Sequence, residues 1–216
     1  MKPNTFSILM PAIVAAIFAI MLLPGCAGFN QPPKPVESYV LSYPGPMPAN
    51  DKSSAPDAVL AVGAFDAAEP YRSRQMVYAD HPLRRKNYTY HQWAAKPADM
   101  VRDQIISDLA AAHAAKSVTR AEKALETPTH VLGASIEAFY EDDTKNPWQA
   151  VIKIRTTLAE TRSGQSGGRS VIMTKTYQAT QDLSQNNPLG LARAMSTALA
   201  EISNDLAADI RKALER

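Results

Sequence analysis

Cys26 is the only thiol among 216 residues, and it stands at the end of Leu23-Pro24-Gly25-Cys26, directly after the apolar run of residues 6–23. A thiol so placed can carry a diacylglycerol through a thioether. Cleavage between Gly25 and Cys26 would free an α-amine that can be acylated too. Each buried methylene contributes about 0.8 kcal/mol, so two or more chains anchor stably where a single one does not. The other reactive residue types lack the spacing that catalysis or metal binding needs. No two of His81, His91, His113 and His130 stand three or four residues apart, which argues against zinc. No nucleophile elbow is expected, and the glycines of residues 163–168 read as turn chemistry between two strands. Glu141-Asp142-Asp143 reads as a solvated turn rather than a calcium site, because no ligand loop with a closing Glu follows it. The expectation is a protein that is not an enzyme. It would hold no metal and no cofactor beyond the diacylglycerol and N-acyl chain on Cys26.

Two further stretches could recognise a partner. In "LRRKNYTYHQW", Arg84, Arg85 and Lys86 precede Tyr88, Tyr90 and Trp93. Cations beside aromatics suit RNA, an anionic head group or a protein; alternatively the cations occupy a turn while Trp93 and one tyrosine pack under a helix start. Tyr71 and Arg72, with Arg84 and Arg85, are the candidate partner-binding edge. The second stretch is the C-terminal stripe Leu191, Met195, Leu199, Ile202, Leu206, Ile210 and Leu214. It either covers a sheet or zips against a second copy of the chain, giving a homo-oligomer.

The whole-chain balance is near neutral, with 23 Lys and Arg against 21 Asp and Glu, a formal +2. No general field for nucleic acid exists, and no nucleic-acid partner is expected. The 18-residue, nearly all-apolar run at 6–23 lies between the length of a signal-peptide core and that of a minimal membrane span. Small and turn-forming residues follow instead of charges, and Lys2 is the only charge before Cys26. This stretch resembles the lipobox of bacterial lipoproteins, which implies a signal peptide over 1–25; an uncleaved membrane helix with an incidental cysteine is the alternative. Ala27, where Asp would favour inner-membrane retention in enterobacterial lipoproteins, implies the outer membrane. Freedom from other thiols suits an oxidising compartment. The three prolines of residues 27–37 read as a stiff tether of roughly 30 Å, so 26–37 is lipidated cysteine plus tether and 38–216 a single domain.

Within that domain, Ser38–Tyr43 reads as a strand stopped by Pro44-Gly45-Pro46. Residues 58–65 read as an interior strand apolar on both faces. Residues 75–79 and 86–93 flank His81-Pro82 as a hairpin. Residues 96–115 read as a helix opened by Pro97, with Val101, Ile105 and Leu109 inward and Arg102, Asp103 and Asp108 toward water. His113 falls near its end, where a cation is favoured. Strands follow over 131–141, 150–160 and 169–179; the first would place Leu132, Ala134, Ile136, Ala138 and Tyr140 on one face. The C-terminal helix closes the chain, with Arg211, Lys212 and Arg216 at the negative end of its dipole. The expected fold is α+β, a two-layer sandwich of a mainly antiparallel sheet with two helices packed on one face.

Taken in order, these segments resemble the ABC-type transport auxiliary lipoproteins, the outer-membrane partners of MCE-domain lipid transporters, the paraquat-inducible type among them. The resemblance rests on Tyr39–Leu41, on "VGAFDAAEPYRSRQMVYAD" at 62–80, and on "YTYHQWAAKPADMVRDQIISDL" at 88–109. "GASIEAFYED" at 133–142 and "LARAMSTALAEISNDLAADI" at 191–210 complete it. It implies an outer-membrane lipoprotein, lipid-anchored on the periplasmic face, that docks the MCE conduit of an ABC lipid transporter. The rival is an outer-membrane assembly lipoprotein that binds lipopolysaccharide or a β-barrel partner, for which Arg84-Arg85-Lys86 is the best support.

Overall fold

The computed structural model describes residues 34–45, 55–162 and 168–215. Its strands are β1 (Glu37–Tyr39), β2 (Val59–Val62), β3 (Asp66–Ala67), β4 (Gln75–His81), β5 (Arg84–Trp93), β6 (Ser117–Arg120), β7 (His130–Asp142), β8 (Gln149–Thr161) and β9 (Arg169–Asp182). Helix α1 (Pro97–Ala111) lies between β5 and β6, and α2 (Pro188–Leu214) closes the chain. The fold is α+β, and the sheet is mixed. The hairpin β4–β5 and the ribbon β7–β8–β9 are antiparallel, as the alternating sequences predict. Along the other edge of β7 lie β2, β3 and β4 in turn, all parallel to it, with Leu60 opposite His130, Asp66 opposite Ser135 and Tyr78 opposite Glu141. Residues 59–81 therefore act as one interrupted strand, stitched between its pieces by Gly63 N–H to Leu132 O (2.8 Å) and Ala68 N–H to Ile136 O (2.8 Å). Helix α1 supplies the crossover that returns β6 parallel to β2, as parallel neighbours require.

The core sits between one face of β7–β8 and the helices. Leu132 faces Leu158, Ile136 faces Ile154 and Phe139 faces Ile152, each at most 1% exposed. Fully burying side chains of this size stabilises by roughly 1.5–3 kcal/mol each. The register contains a correction to the alternation expected for 131–141. Ile136 pairs with Ile154 and Ala138 with Lys153, so Glu137 is an extra residue in a bulge. Beyond it the facing inverts: Phe139 and Glu141 turn inward, and Tyr140 turns out. The C-terminal stripe covers the sheet, with Leu191, Met195, Leu199, Ile202, Leu206 and Ile210 buried against β8 and β9.

Two polar residues assigned to the wet side of α1 are inside. Arg102 donates Nη2 to Val62 O (2.7 Å) and grips Glu122 through Nη1 and Nη2. Asp108 is fully buried and accepts from Tyr43 Oη (2.5 Å), Ser203 Oγ (2.6 Å) and Gln104 Nε2 (3.2 Å). The reason is that α1 touches α2 as well as β6 and β3, so more of its circumference is covered than one apolar stripe suggests. Asp103 does face water, paired with Arg120. The end of α1 is a Schellman turn: His113 N–H bonds Ala110 O, Ala114 N–H bonds Leu109 O, and His113 has φ of 50°. Helix α2 opens on Asn187, whose Oδ1 caps Gly190 N–H at 2.8 Å. A Cβ at Gly190 would collide with the Gln185 backbone.

Candidate partner-docking edge

The turn joining β4 to β5 closes with Leu83 N–H donating to His81 Nδ1 (3.2 Å). Asp80 then fixes the first residues of β5, accepting from Arg84 Nε at 2.7 Å and Lys86 Nζ at 2.6 Å. These two cations hold its carboxyl down at about 2. Pairs this exposed add little stability, so their effect is to orient the cations. Arg85 instead lays its guanidinium over the Tyr140 ring, 4.0 Å from the centroid. Tyr140 in turn stacks on Tyr71, centroids 6.4 Å apart and planes 13° apart.

This arrangement sorts the candidate residues. Arg84 and Arg85 lie exposed on the hairpin, already ordered. Tyr71 is buried at 5% exposure, so it offers no ring to a partner and instead backs Tyr140. Arg72 pairs with Glu69 (2.5 Å) and donates Nε to Ala67 O (2.9 Å), on its own side of the 3-10 turn Glu69–Tyr71. No described contact joins Arg72 to the hairpin. Trp93 is buried, edge-on to Phe139 at 5.2 Å, which settles it as packing. Tyr140, the residue that links the edge together, escaped the sequence reading because the bulge at Glu137 reverses its face. An Arg-aromatic pairing across 55 residues of chain leaves no local signal.

Beneath the hairpin lies a second feature that contradicts an expectation. Glu141 does not belong to a solvated turn: it is fully buried, with Oε1 accepting from Tyr88 Oη at 2.5 Å. Glu141 Oε2 and Asp143 Oδ1 are both buried without a donor. Burial pushes the Glu141 carboxyl up to about 8, and the Asp143 carboxyl is raised by burial too. Two buried carboxyl oxygens without a donor disfavour the charged forms, so burial favours retention of a proton at this pair. Tyr88, half-buried beside Glu141, is likewise raised, by burial and by its hydrogen bond to Glu141.

Gly25 and Cys26 lie outside the described residues. So does most of Gly164-Gln165-Ser166-Gly167-Gly168, which does spell Gly-x-Ser-x-Gly. That string joins the antiparallel β8 and β9, whereas a nucleophile elbow turns from strand into helix. Among the described residues there is no cluster of His, Cys, Asp and Glu able to hold a metal ion, and no helix long and apolar enough to cross a membrane.

With the domain and its edge in place, comparison with known proteins defines the class. Residues 39–207 match the family described as ABC-type transport auxiliary lipoprotein component, and the chain belongs to that family. Among solved structures, a Xanthomonas campestris protein of the DUF330 family is similar with a TM-score of 0.70 at 17% identity, covering 82% of this chain and 96% of its own. An uncharacterized protein aligns with a TM-score of 0.61 at 14% identity, over 81% of this chain and 99% of its own. A hypothetical protein of Chlamydia trachomatis gives 0.50 at 11% identity, over 73% and 98%. These likenesses establish the fold. No curated protein sequence matches the chain.

Proposed function

We propose that this auxiliary lipoprotein is anchored in the outer membrane by acyl chains on Cys26. From the periplasmic face it docks the MCE-domain conduit of an ABC-type lipid transporter, and it carries out no catalysis of its own. The observation that carries the reading is the family match, which spans the folded domain from β1 into α2. The hairpin supports it, since Arg84 and Arg85 are held exposed by Asp80 and Tyr140 and so lose little freedom on meeting an acidic partner surface. Charges of this kind raise the rate and specificity of encounter more than raw affinity.

The test is recovery of the complex from cross-linked envelopes. The parent chain should bring down an MCE-domain protein. The Arg84→Glu/Arg85→Glu variant should lose most of that recovery, with a Tm close to the parent's because both side chains are exposed. Undiminished recovery by the variant would remove the hairpin from the interface. Recovery of a large β-barrel in place of an MCE-domain protein would favour the rival reading, in which the same cations meet lipopolysaccharide or a barrel partner.

A further inference from the structure

We infer that the surface formed by Val36, Val40 and Leu189 with Arg193 is a membrane-contact face, resting on the same bilayer that holds the anchor. Around β1 the chain alternates. Tyr39 and Leu41 pack toward the core, while Val36 and Val40 point out at 53% and 59% exposure. Across from Val40 the first turns of α2 present Leu189, 42% exposed, and the cation Arg193. Val40, Leu189, Ala192 and Arg193 line a shared groove of about 280 Å³, with Tyr39 and Ser42 among its other walls. The nearby acid Glu37 is turned to the opposite side of the strand. It accepts from Tyr39 Oη at 2.6 Å and lies 3.4 Å from His91 Nδ1.

Single exposed apolar side chains are ordinary on any protein. What distinguishes these is their place. Pro35 stands nine residues from Cys26 in the sequence, and at most about 3.6 Å of reach per residue limits that segment to roughly 32 Å. An acylated Cys26 therefore keeps this end of the domain within roughly 32 Å of a bilayer surface, so the patch meets that surface far more often than it would from free solution. Aliphatic side chains suit the boundary between head groups and acyl chains, and an arginine among them suits lipid phosphate. The hairpin tip at Leu83 belongs to the other end of β5 from the β1 pairing, so contact here leaves the docking edge free.

This inference rests on the anchor reading, and the experiment separates the two. Once Cys26 is a thioether, Leu189→Cys provides the only free thiol of the mature chain, and Leu83→Cys provides a control on the hairpin. Each variant, purified in its mature form and inserted in phosphatidylethanolamine vesicles with a minority of phosphatidylglycerol, is labelled with an environment-sensitive fluorophore. The label at position 189 should shift to the blue and be quenched several-fold more strongly by a lipid-borne quencher than the label at position 83. Equal quenching at the two positions, or a water-exposed label at 189, overturns the membrane face. The unsubstituted chain reads the anchor separately. Labelling there means a free Cys26 thiol, which removes the anchor and this inference with it; no labelling together with a water-exposed position 189 removes the face alone.

Discussion

Glu141 shows what a single side chain can impose on this fold. Its carboxyl is fully buried, takes a hydrogen bond from Tyr88, and shares a donor-free space with Asp143. In the folded protein it keeps its proton up to about pH 8, whereas in the unfolded chain it releases it near the ordinary carboxylate value. Between those limits the folded state binds the additional proton, so stability falls as pH rises from about 4.5 to about 8. Glu141→Gln carries a permanent N–H pair in place of that proton and still offers Oε1 to Tyr88. Thermal unfolding should find variant and parent nearly equal near pH 5, and the variant more stable by on the order of 2 kcal/mol at pH 8. Parallel Tm profiles across that range would refute the shared proton. The sequence showed only three acids in a row, which normally means solvent. Its burial follows from the bulge at Glu137, and an alternating stretch such as "SIEAFYE" is compatible with either face.

At the scale of elements, the most legible pieces were those whose pattern is carried by many residues at once. The stripe from Leu191 to Ile210 is long enough to define its covered face without ambiguity, and "VLAV" in β2, apolar at every position, allowed only an interior strand. The mixed character of the sheet was not legible, because parallel alignment of residues 59–81 with β7 depends on where Gly63 and the Glu69–Tyr71 turn step the chain sideways. Helix α1 was half legible. Its apolar stripe was plain, but nothing local signals that Asp108 will meet Tyr43 and Ser203 from 65 and 95 residues away. Asp108→Ala leaves those hydroxyls without their acceptor in a buried place and should cost about 2–4 kcal/mol in chemical denaturation; a loss under 1 kcal/mol would show the network to be dispensable. His113 occupies the left-handed position that glycine normally fills at a Schellman turn. His113→Gly should raise the denaturation midpoint, by about 0.5–1 kcal/mol of stability, since relief of the positive φ outweighs the added freedom of the unfolded chain. A lower midpoint would mean that the imidazole contributes more than its conformation costs.

For the molecule as a whole, the proposed anchor joins a folded auxiliary domain to a bilayer through one sulfur. The domain has an extensive apolar core and its C-terminal helix opens on the Asn187 cap, while Cys26 lies outside the described residues. The proposed place in the envelope, and the proposed use as a docking piece for a transporter, depend on what Cys26 carries. Intact-mass spectrometry of the protein purified from its native membrane tests this most directly. The predicted result is a chain beginning at Cys26, heavier than its residues by a diacylglycerol and an amide-linked acyl chain, while Cys26→Ala accumulates as a precursor that retains residues 1–25. A native chain still carrying Met1, with an unmodified thiol at Cys26, would contradict the account.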